Sequence, residues 1–435
     1  MSPFPDKVLR SPDGRVEARF ALGDWHGDGQ RFADSPLWEV LHSGRPILSF
    51  SPAGLALAGH PPFTGGFELL RRTVRRGHRA WQPAFGDAAA LSLHYREATM
   101  ALRERSALGR RIDVILRCYD EGACMRVRLP RQRGLWRVSP AGSGLSLRFP
   151  AKTLAWTTSG LLSATPGATP LDRLGEPVAL PVTLNVPHGR FVCLWAAGGC
   201  RLQPLPDRGT WSPQFEPADG PEPTPYEGPW VACLLADRPA GLPANTAMLQ
   251  HLVAEVGSAP ARNPATIRVF NHAWADCAVP FVDYPVWRAL AGLRDASAPD
   301  GSDAESDQTS AHRMALDLVC GRSRPRWDET RFLRGEIGAY AVVARRAGSV
   351  WQVGAITGAE GRVLTVRLAD FLPGDPARTY TLTVLRDPLP GETRPRDGVV
   401  REDFAGVDAE DRPRFELPRG GGFLLRLEPA SWAGG

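Results

Sequence analysis

Lysine is almost missing from this chain: its 52 basic residues include only Lys7 and Lys152, and the rest are arginine. The net charge of +5 therefore reads as coding bias rather than as a surface built for phosphate. The densest run, Arg71-Arg72-Thr73-Val74-Arg75-Arg76-Gly77-His78-Arg79 with Trp81 just after it, stands alone. A nucleic-acid face spreads basic and aromatic residues over a broad surface. One isolated run predicts a solvated strand edge instead, where charge also blocks sheet-to-sheet aggregation. No nucleic-acid partner is expected.

Long apolar stretches are missing too. None approaches the roughly 18 residues of a membrane span, so no membrane partner is expected. The start, Met-Ser-Pro-Phe-Pro-Asp-Lys, has neither an apolar core nor a cleavage site for export. The sequence as it stands is expected to be cytoplasmic, or periplasmic or secreted if an export signal was removed. The seven cysteines (118, 124, 193, 200, 233, 277, 320) lack C-x-x-C spacing. Structural zinc needs close Cys/His pairs, so buried free thiols are the expectation. H-E-x-x-H, G-x-G-x-x-G, the phosphate-binding G-x-x-x-x-G-K-[ST] and G-x-S-x-G are all missing. The nine histidines are scattered, and no metal or other cofactor is expected.

What the chain has in quantity is turn residues. Its 435 residues include 45 Gly and 41 Pro without a period, and 43% of the residues are hydrophobic. That suits two or three domains of short strands. Val16, Ala18 and Phe20 alternate with Glu17 and Arg19, the period of a half-buried strand. Trp38 to Leu41 and Pro46 to Phe50 flank His42-Ser43-Gly44-Arg45, a short hairpin. Ile112, Val114 and Leu116 form one strand face, and Asp120-Glu121-Gly122 turns into Val127 and Leu129. From Arg15 to about Val253 the pattern is strand, turn, strand, with helices nearly absent.

Residues 255–325 differ. Ile267 to Phe270 predicts a short strand, Pro285 to Leu293 a helix with proline near its start, and 295–310 a disordered loop. From Trp327 alternation returns: Leu364, Val366 and Leu368 oppose Thr365 and Arg367, and Tyr380, Leu382 and Val384 oppose Thr379, Thr381 and Thr383. Gly420-Gly421-Gly422 opens a last strand, Phe423 to Leu427. Such a meander closes as an antiparallel sandwich. Asp328 and Glu329, adjacent on a strand, point to opposite faces and cannot form a facing carboxylate pair; surface and capping roles are expected of them. Carbohydrate chemistry calls for tryptophans against sugar faces and paired carboxylates. The thirteen tryptophans serve the first requirement, although most are expected to fill cores. Trp274 and Asp276 sit together in the atypical middle and mark the first place to look for a cleft.

Two stretches resemble glycoside hydrolase family 97. The first runs from Leu9-Arg-Ser-Pro-Asp-Gly-Arg-Val-Glu17 through Trp81-Gln-Pro-Ala-Phe-Gly86 to Leu116-Arg-Cys-Tyr-Asp-Glu-Gly-Ala123, closing with Gly228-Pro-Trp230 ahead of Leu249 to Leu252. It is similar to the family's amino-terminal β-supersandwich, a fold akin to galactose mutarotase. The second, Trp327-Asp-Glu-Thr-Arg-Phe-Leu-Arg-Gly-Glu-Ile-Gly-Ala-Tyr340 with Ala344-Arg-Arg346, Trp351-Gln-Val-Gly-Ala-Ile-Thr357 and Phe371-Leu372, resembles its carboxy-terminal sandwich, associated with oligomerisation. The resemblance implies a mainly β protein: a large antiparallel β-supersandwich over 1–254, a short mixed linker over 255–325, and a smaller β-sandwich over 326–435, with few helices.

In that family a (β/α)₈ barrel between the sandwiches carries catalytic glutamates and calcium. A barrel takes roughly 250 residues and seldom fewer than about 200; here only about 70 intervene. Val269-Phe-Asn-His-Ala-Trp-Ala-Asp276 through Phe281-Val-Asp-Tyr-Pro-Val-Trp-Arg-Ala-Leu290 resembles only the barrel's last strand and helix. No residue matches the catalytic carboxylates, and the calcium ion is expected to be lost. After Trp156, where relatives offer acidic and aromatic residues to the cleft, the chain has Thr, Ser, Ala and Pro. Trp156, Trp274, Asp276 and Asp283 are the candidate carbohydrate-binding residues. Three readings stay open. The chain binds carbohydrate without turnover; or it is a structural, oligomerising partner of a separate barrel chain, with homo-oligomers through its carboxy-terminal domain; or it is an active α-glycosidase with a site rebuilt around Asp276, Asp283 and Glu255. An internally deleted gene product is a further possibility.

Overall fold

A computed structural model describes residues 8–255 and 328–430, apart from short stretches at 28–29, 83–89, 143, 158–167, 198–199, 207–208, 216–219, 240, 246, 338, 358–359, 376–377, 393–399 and 420. The predictions for 256–327, including the short strand, the helix, the loop and Cys277 and Cys320, lie outside the described residues. The described chain forms two units.

The first unit is two antiparallel sheets face to face, one of eight strands and one of ten. The alternation seen in the sequence decides what lies between them. Val16, Ala18 and Phe20 on strand Val16–Gly27 are fully buried. They meet Ile112, Val114 and Leu116 of strand Arg111–Tyr119 in one continuous core. Glu17 and Arg19 take the other face, where Arg19 pairs with Glu17 and Glu39. Strands Gln30–His42 and Arg45–Pro52 are joined by Ser43-Gly44 with φ of 50° and 78°. Two successive left-handed residues give a tight hairpin turn whose twist matches that of its strands. All five described cysteines are free and buried, as expected of thiols used as small apolar groups.

The second unit is a six-stranded antiparallel sheet, with a two-stranded ribbon of Arg362–Thr365 and Arg414–Leu417. Its core holds Leu364, Val366, Leu368, Tyr380, Leu382 and Val384, the residues whose alternation marked the strands. Asp328 accepts the Gly348 amide at 2.7 Å, and Asp328 and Glu329 both pair with Arg346. Their roles are surface and structural.

Helix is nearly absent before Val253, as expected; what there is comprises the α-helix Ala247–Glu255 and, before it, the short turn of helix Gly241–Ala244. A nine-residue helix is marginal by itself, and strand-length windows do not reveal it. It forms because Met248, Leu249 and Leu252 are buried, which ties its stability to tertiary packing.

Candidate functional site

The ten-stranded sheet has a second buried face. Its strand order places Leu154–Trp156 and Arg190–Ala196 toward one end, then Val231–Ala236, Gly122–Leu129, Arg111–Tyr119 and Leu91–Glu104, with Phe67–Trp81 at the far edge. On each strand every second residue points away from the core of the sandwich. That outer set includes Trp156, Phe191, Trp195, Arg126, Arg117, Tyr119, Tyr95 and Glu97.

Arg117 lies at the centre of this face. Its side chain is 2% exposed, a position where a guanidinium persists only when every N–H is engaged. Nε donates to Glu97 at 2.5 Å, and Nη1 donates to Glu255 at 2.7 Å and to the Tyr119 hydroxyl at 3.4 Å. The guanidinium carbon lies over two aromatics, 4.6 Å from the Trp230 ring centroid and 4.8 Å from that of Tyr95. Arg126 lies 4.5 Å from the same Trp230 ring, so cation and ring alternate through Arg126, Trp230, Arg117 and Tyr95.

The helix closes a ring of hydrogen bonds and charge contacts. Tyr119 and the Nδ1 of His251 are 3.1 Å apart, and His251 Nε2 is 3.4 Å from the same Glu255 that Arg117 holds. Burial lowers the pKa of His251, with Arg117 and Arg79 adding to the effect against Glu255 and Glu97. The neutral imidazole is thereby favoured. Its Nδ1 accepts a hydrogen bond from the Tyr119 hydroxyl, and its Nε2 faces the Glu255 carboxylate. Burial raises the Tyr119 phenol, so it stays protonated near neutrality. For Glu97, burial alone would raise the carboxyl; the charge of Arg117, with hydrogen bonds from Arg75 and Arg117, outweighs it and holds the pKa low.

Tyrosine, histidine and glutamate in a row look like an acid–base array. A glycosidase, however, needs one carboxyl kept neutral to donate a proton and a second that is free to act. Here Glu97 is held ionised between Arg75 and Arg117, and Glu255 is bound by Arg117. The ring is a clamp that fixes helix Ala247–Glu255 to the sheet. Glu255, a candidate carboxylate from sequence, belongs to this clamp because its partner Arg117 leaves it no freedom to reach a substrate. Among the described residues no group of three or more His, Cys, Asp or Glu could hold a metal ion, and no helix is long and apolar enough to cross a membrane.

The arginine run is an edge strand, as predicted. Arg75, however, reaches Glu97 at 2.7 Å and Arg72 donates to the Val8 carbonyl at 3.0 Å, so two of its charges are structural. Gly77 of that strand lies under the Tyr95 ring, and a Cβ there would collide with it. Gly77→Ala is expected to push Tyr95 off Arg117 and cost about 1–3 kcal/mol; a fall in the chemical-denaturation midpoint of the first unit checks this.

Trp156 is half-buried at the other end of the face, on a strand whose Ala155 enters the core. Its ring lies 6.0 Å from that of Phe191 at 35°, a tilted aromatic pair partly open to solvent. Trp274, Asp276 and Asp283 lie outside the described residues. Sequence reasoning missed Arg117, Tyr95, Tyr119, Glu97 and His251. The available signal was arginine, tyrosine and glutamate at the outward positions of strands whose alternate residues are plainly core.

Residues 9–201 match the glycosyl-hydrolase 97 N-terminal domain, and residues 326–428 match the glycosyl-hydrolase 97 C-terminal, oligomerisation domain. The chain belongs to glycoside hydrolase family 97. A retaining α-galactosidase of Bacteroides thetaiotaomicron is 36% identical to this family 97 chain over 102 residues, which is 23% of the chain and 14% of that relative's length. A family 97 enzyme of Pseudoalteromonas sp. strain K8, solved with panose and with acarbose, superposes with a TM-score of 0.71 at 12% identity, over 97% of this chain and 100% of that one. A β-arabinopyranosidase matches with a TM-score of 0.64 at 14% identity over the same shares. At these identities the likeness to the solved structures is one of fold.

Proposed function

We propose that this family 97 chain is a non-catalytic carbohydrate-binding protein. The observation that carries the reading is a length: the first unit's helix ends at Glu255 and the second unit's first strand begins at Glu329. Residues 256–327 between the described parts number 72, whereas a (β/α)₈ barrel seldom takes fewer than about 200. Both flanking domains of the family are present, and the carboxylates of the described outer face are locked in ion pairs. The support for a saccharide is the family itself, whose members named above act on or were solved with sugars, and the partly open Trp156–Phe191 pair. An aromatic face of this kind suits the C–H face of a pyranose.

Calorimetric titration with α-linked oligosaccharides is expected to give weak binding without turnover. Trp156→Ala is expected to weaken that binding roughly threefold to tenfold, the worth of one aromatic contact at about 0.5–1.5 kcal/mol. Nitrophenol release from α-glucosides or α-galactosides would overturn the non-catalytic reading, and binding indifferent to Trp156 would overturn the platform. The match of residues 326–428 to an oligomerisation domain also favours assembly. Light scattering after size exclusion is expected to give a mass above that of one 47.3 kDa chain, and a strict monomer would count against it.

A further inference from the structure

We propose a second saccharide site, in a cleft of the carboxy-terminal unit, that takes a neutral sugar independently of Trp156. The six-stranded sheet of this unit is faced by a two-stranded ribbon together with the turn that brings Leu368, Phe371 and Leu372 into the core. This cover does not bury every inward residue of the edge strand. Phe404 shows where cover fails. It lies directly opposite Leu382 in the ladder of Tyr380–Arg386 with the edge strand Val400–Val407, and cross-strand partners share a face. Leu382 is core at 3% exposure, yet Phe404 on the same face is 47% exposed. A phenylalanine at an inward position, left open to water, borders a cavity of about 580 Å³, within the size range of small-ligand sites.

Part of the polar lining around that ring is fixed in place. Arg386 grips Glu392 with both Nη atoms at 2.9 and 3.2 Å and holds Glu402 at 3.0 Å. Glu402 shares the inward face with Phe404, being two residues away on one strand. On the opposite side, Asp411 accepts the Asp408 amide at 2.9 Å, and its own carbonyl takes the Leu368 amide at 3.2 Å. These bonds pin the turn that carries Arg412 and leads into Arg414–Leu417. Rigid planar donors and acceptors set around an aromatic ring match vicinal hydroxyls at the rim of a pyranose, with the ring against its apolar face. They are paid for before the ligand arrives.

Charge selects the class. The lining carries Arg386, Arg412 and Arg414 against Glu402, Asp411 and Glu416, three of each sign. A balanced lining gives no net field to attract an anionic or cationic ligand, but it supplies both donors and acceptors to a neutral polyol. The edge itself is poorly suited to pairing with another strand. Its ladder is bulged between Tyr380 and Leu382, and Arg401 and Asp403 of the edge strand carry exposed charge, both devices that block edge-to-edge contact. Pairing of this edge strand with a strand of a second copy is therefore disfavoured.

The full chain is titrated calorimetrically with neutral gluco- and galacto-oligosaccharides and with a uronate-containing oligosaccharide, alongside Phe404→Ala, Arg412→Ala and Trp156→Ala. The expected isotherm of a neutral sugar holds two independent sites: Phe404→Ala and Arg412→Ala each weaken the carboxy-terminal one at least fivefold and leave the other, and Trp156→Ala does the reverse. Phe404 and Arg412 are exposed, so an unchanged melting temperature is expected to accompany the loss. Binding lost only in Trp156→Ala overturns this site while leaving the amino-terminal one. Binding of the uronate alone overturns the neutral class. No heat with any sugar overturns the proposal, as does a chain mass that drops to monomer only in Phe404→Ala, since a second copy then covers the cleft.

Discussion

Arg117→Met is expected to destabilise the first unit by about 3–5 kcal/mol, the range for stranding the partners of a buried ion pair. The substitution leaves the Glu97 carboxylate, 5% exposed, with only the largely exposed Arg75, and removes the cation from over Trp230 and Tyr95. It also frees Glu255 and Tyr119, so helix Ala247–Glu255 loses its polar anchor and keeps only Met248, Leu249 and Leu252. For a unit of this size the corresponding fall in melting temperature is on the order of 10 °C, read by calorimetry on the first transition. Arg117→Lys is expected to recover little, because one ammonium cannot span Glu97, Glu255 and Tyr119 or stack as a plane. Arg117→Met combined with Glu97→Leu is expected to regain part of the loss, since no carboxylate is then left buried without its principal partner. A melting temperature within about 2 °C of the parent for Arg117→Met would show that the ring is not the clamp described.

Acid is expected to open the same clamp in two stages. His251 has a pKa below its ordinary value in the folded chain. Between that lowered pKa and about 6.5 the unfolded chain therefore holds a proton that the folded chain lacks, and stability falls as pH falls. The contribution is complete above about 6.5 and is lost below it. Glu97 follows at lower pH: its folded pKa is also depressed, so its contribution is present above its ordinary value and lost as pH drops through the folded one. Melting temperatures measured from pH 7.5 to 3.5 are expected to decline first below about 6.5 and more steeply below about 4.5. His251→Gln is expected to remove its share of the upper stage, leaving that of His42, whose pKa burial also lowers, and Glu97→Gln its share of the lower, at the cost of lower stability throughout. Identical pH profiles for the parent and His251→Gln would refute the part of His251 in the upper stage.

The sheets were legible from the chain because a half-buried strand writes its burial into every second residue. Val16, Ala18 and Phe20, Ile112, Val114 and Leu116, and Tyr380, Leu382 and Val384 are apolar at the positions that the two cores bury. The Ser43-Gly44 turn and the free cysteines were equally local matters. The edge character of the arginine run was read correctly from its isolation and density. What escaped was whatever depends on two distant segments. His251 and Tyr119 are 132 positions apart, and Glu255 and Arg117 are 138 apart. No window of sequence joins them, and helix Ala247–Glu255 gives no strong local pattern until the sheet beneath it exists.

Sequence alone thus determined the family, the two β architectures and the shortness of the segment between them, since strand period, motif and length are all carried in linear order. Tertiary structure decided how the polar residues are used. It turned Glu255 from a candidate catalytic carboxylate into one arm of an arginine clamp, and it left Phe404 uncovered at a position whose cross-strand partner is core. The physical reason is the same in both cases. The state of a charged or aromatic side chain is set by what surrounds it in space, and folding brings those surroundings from strands and helices far apart in the chain.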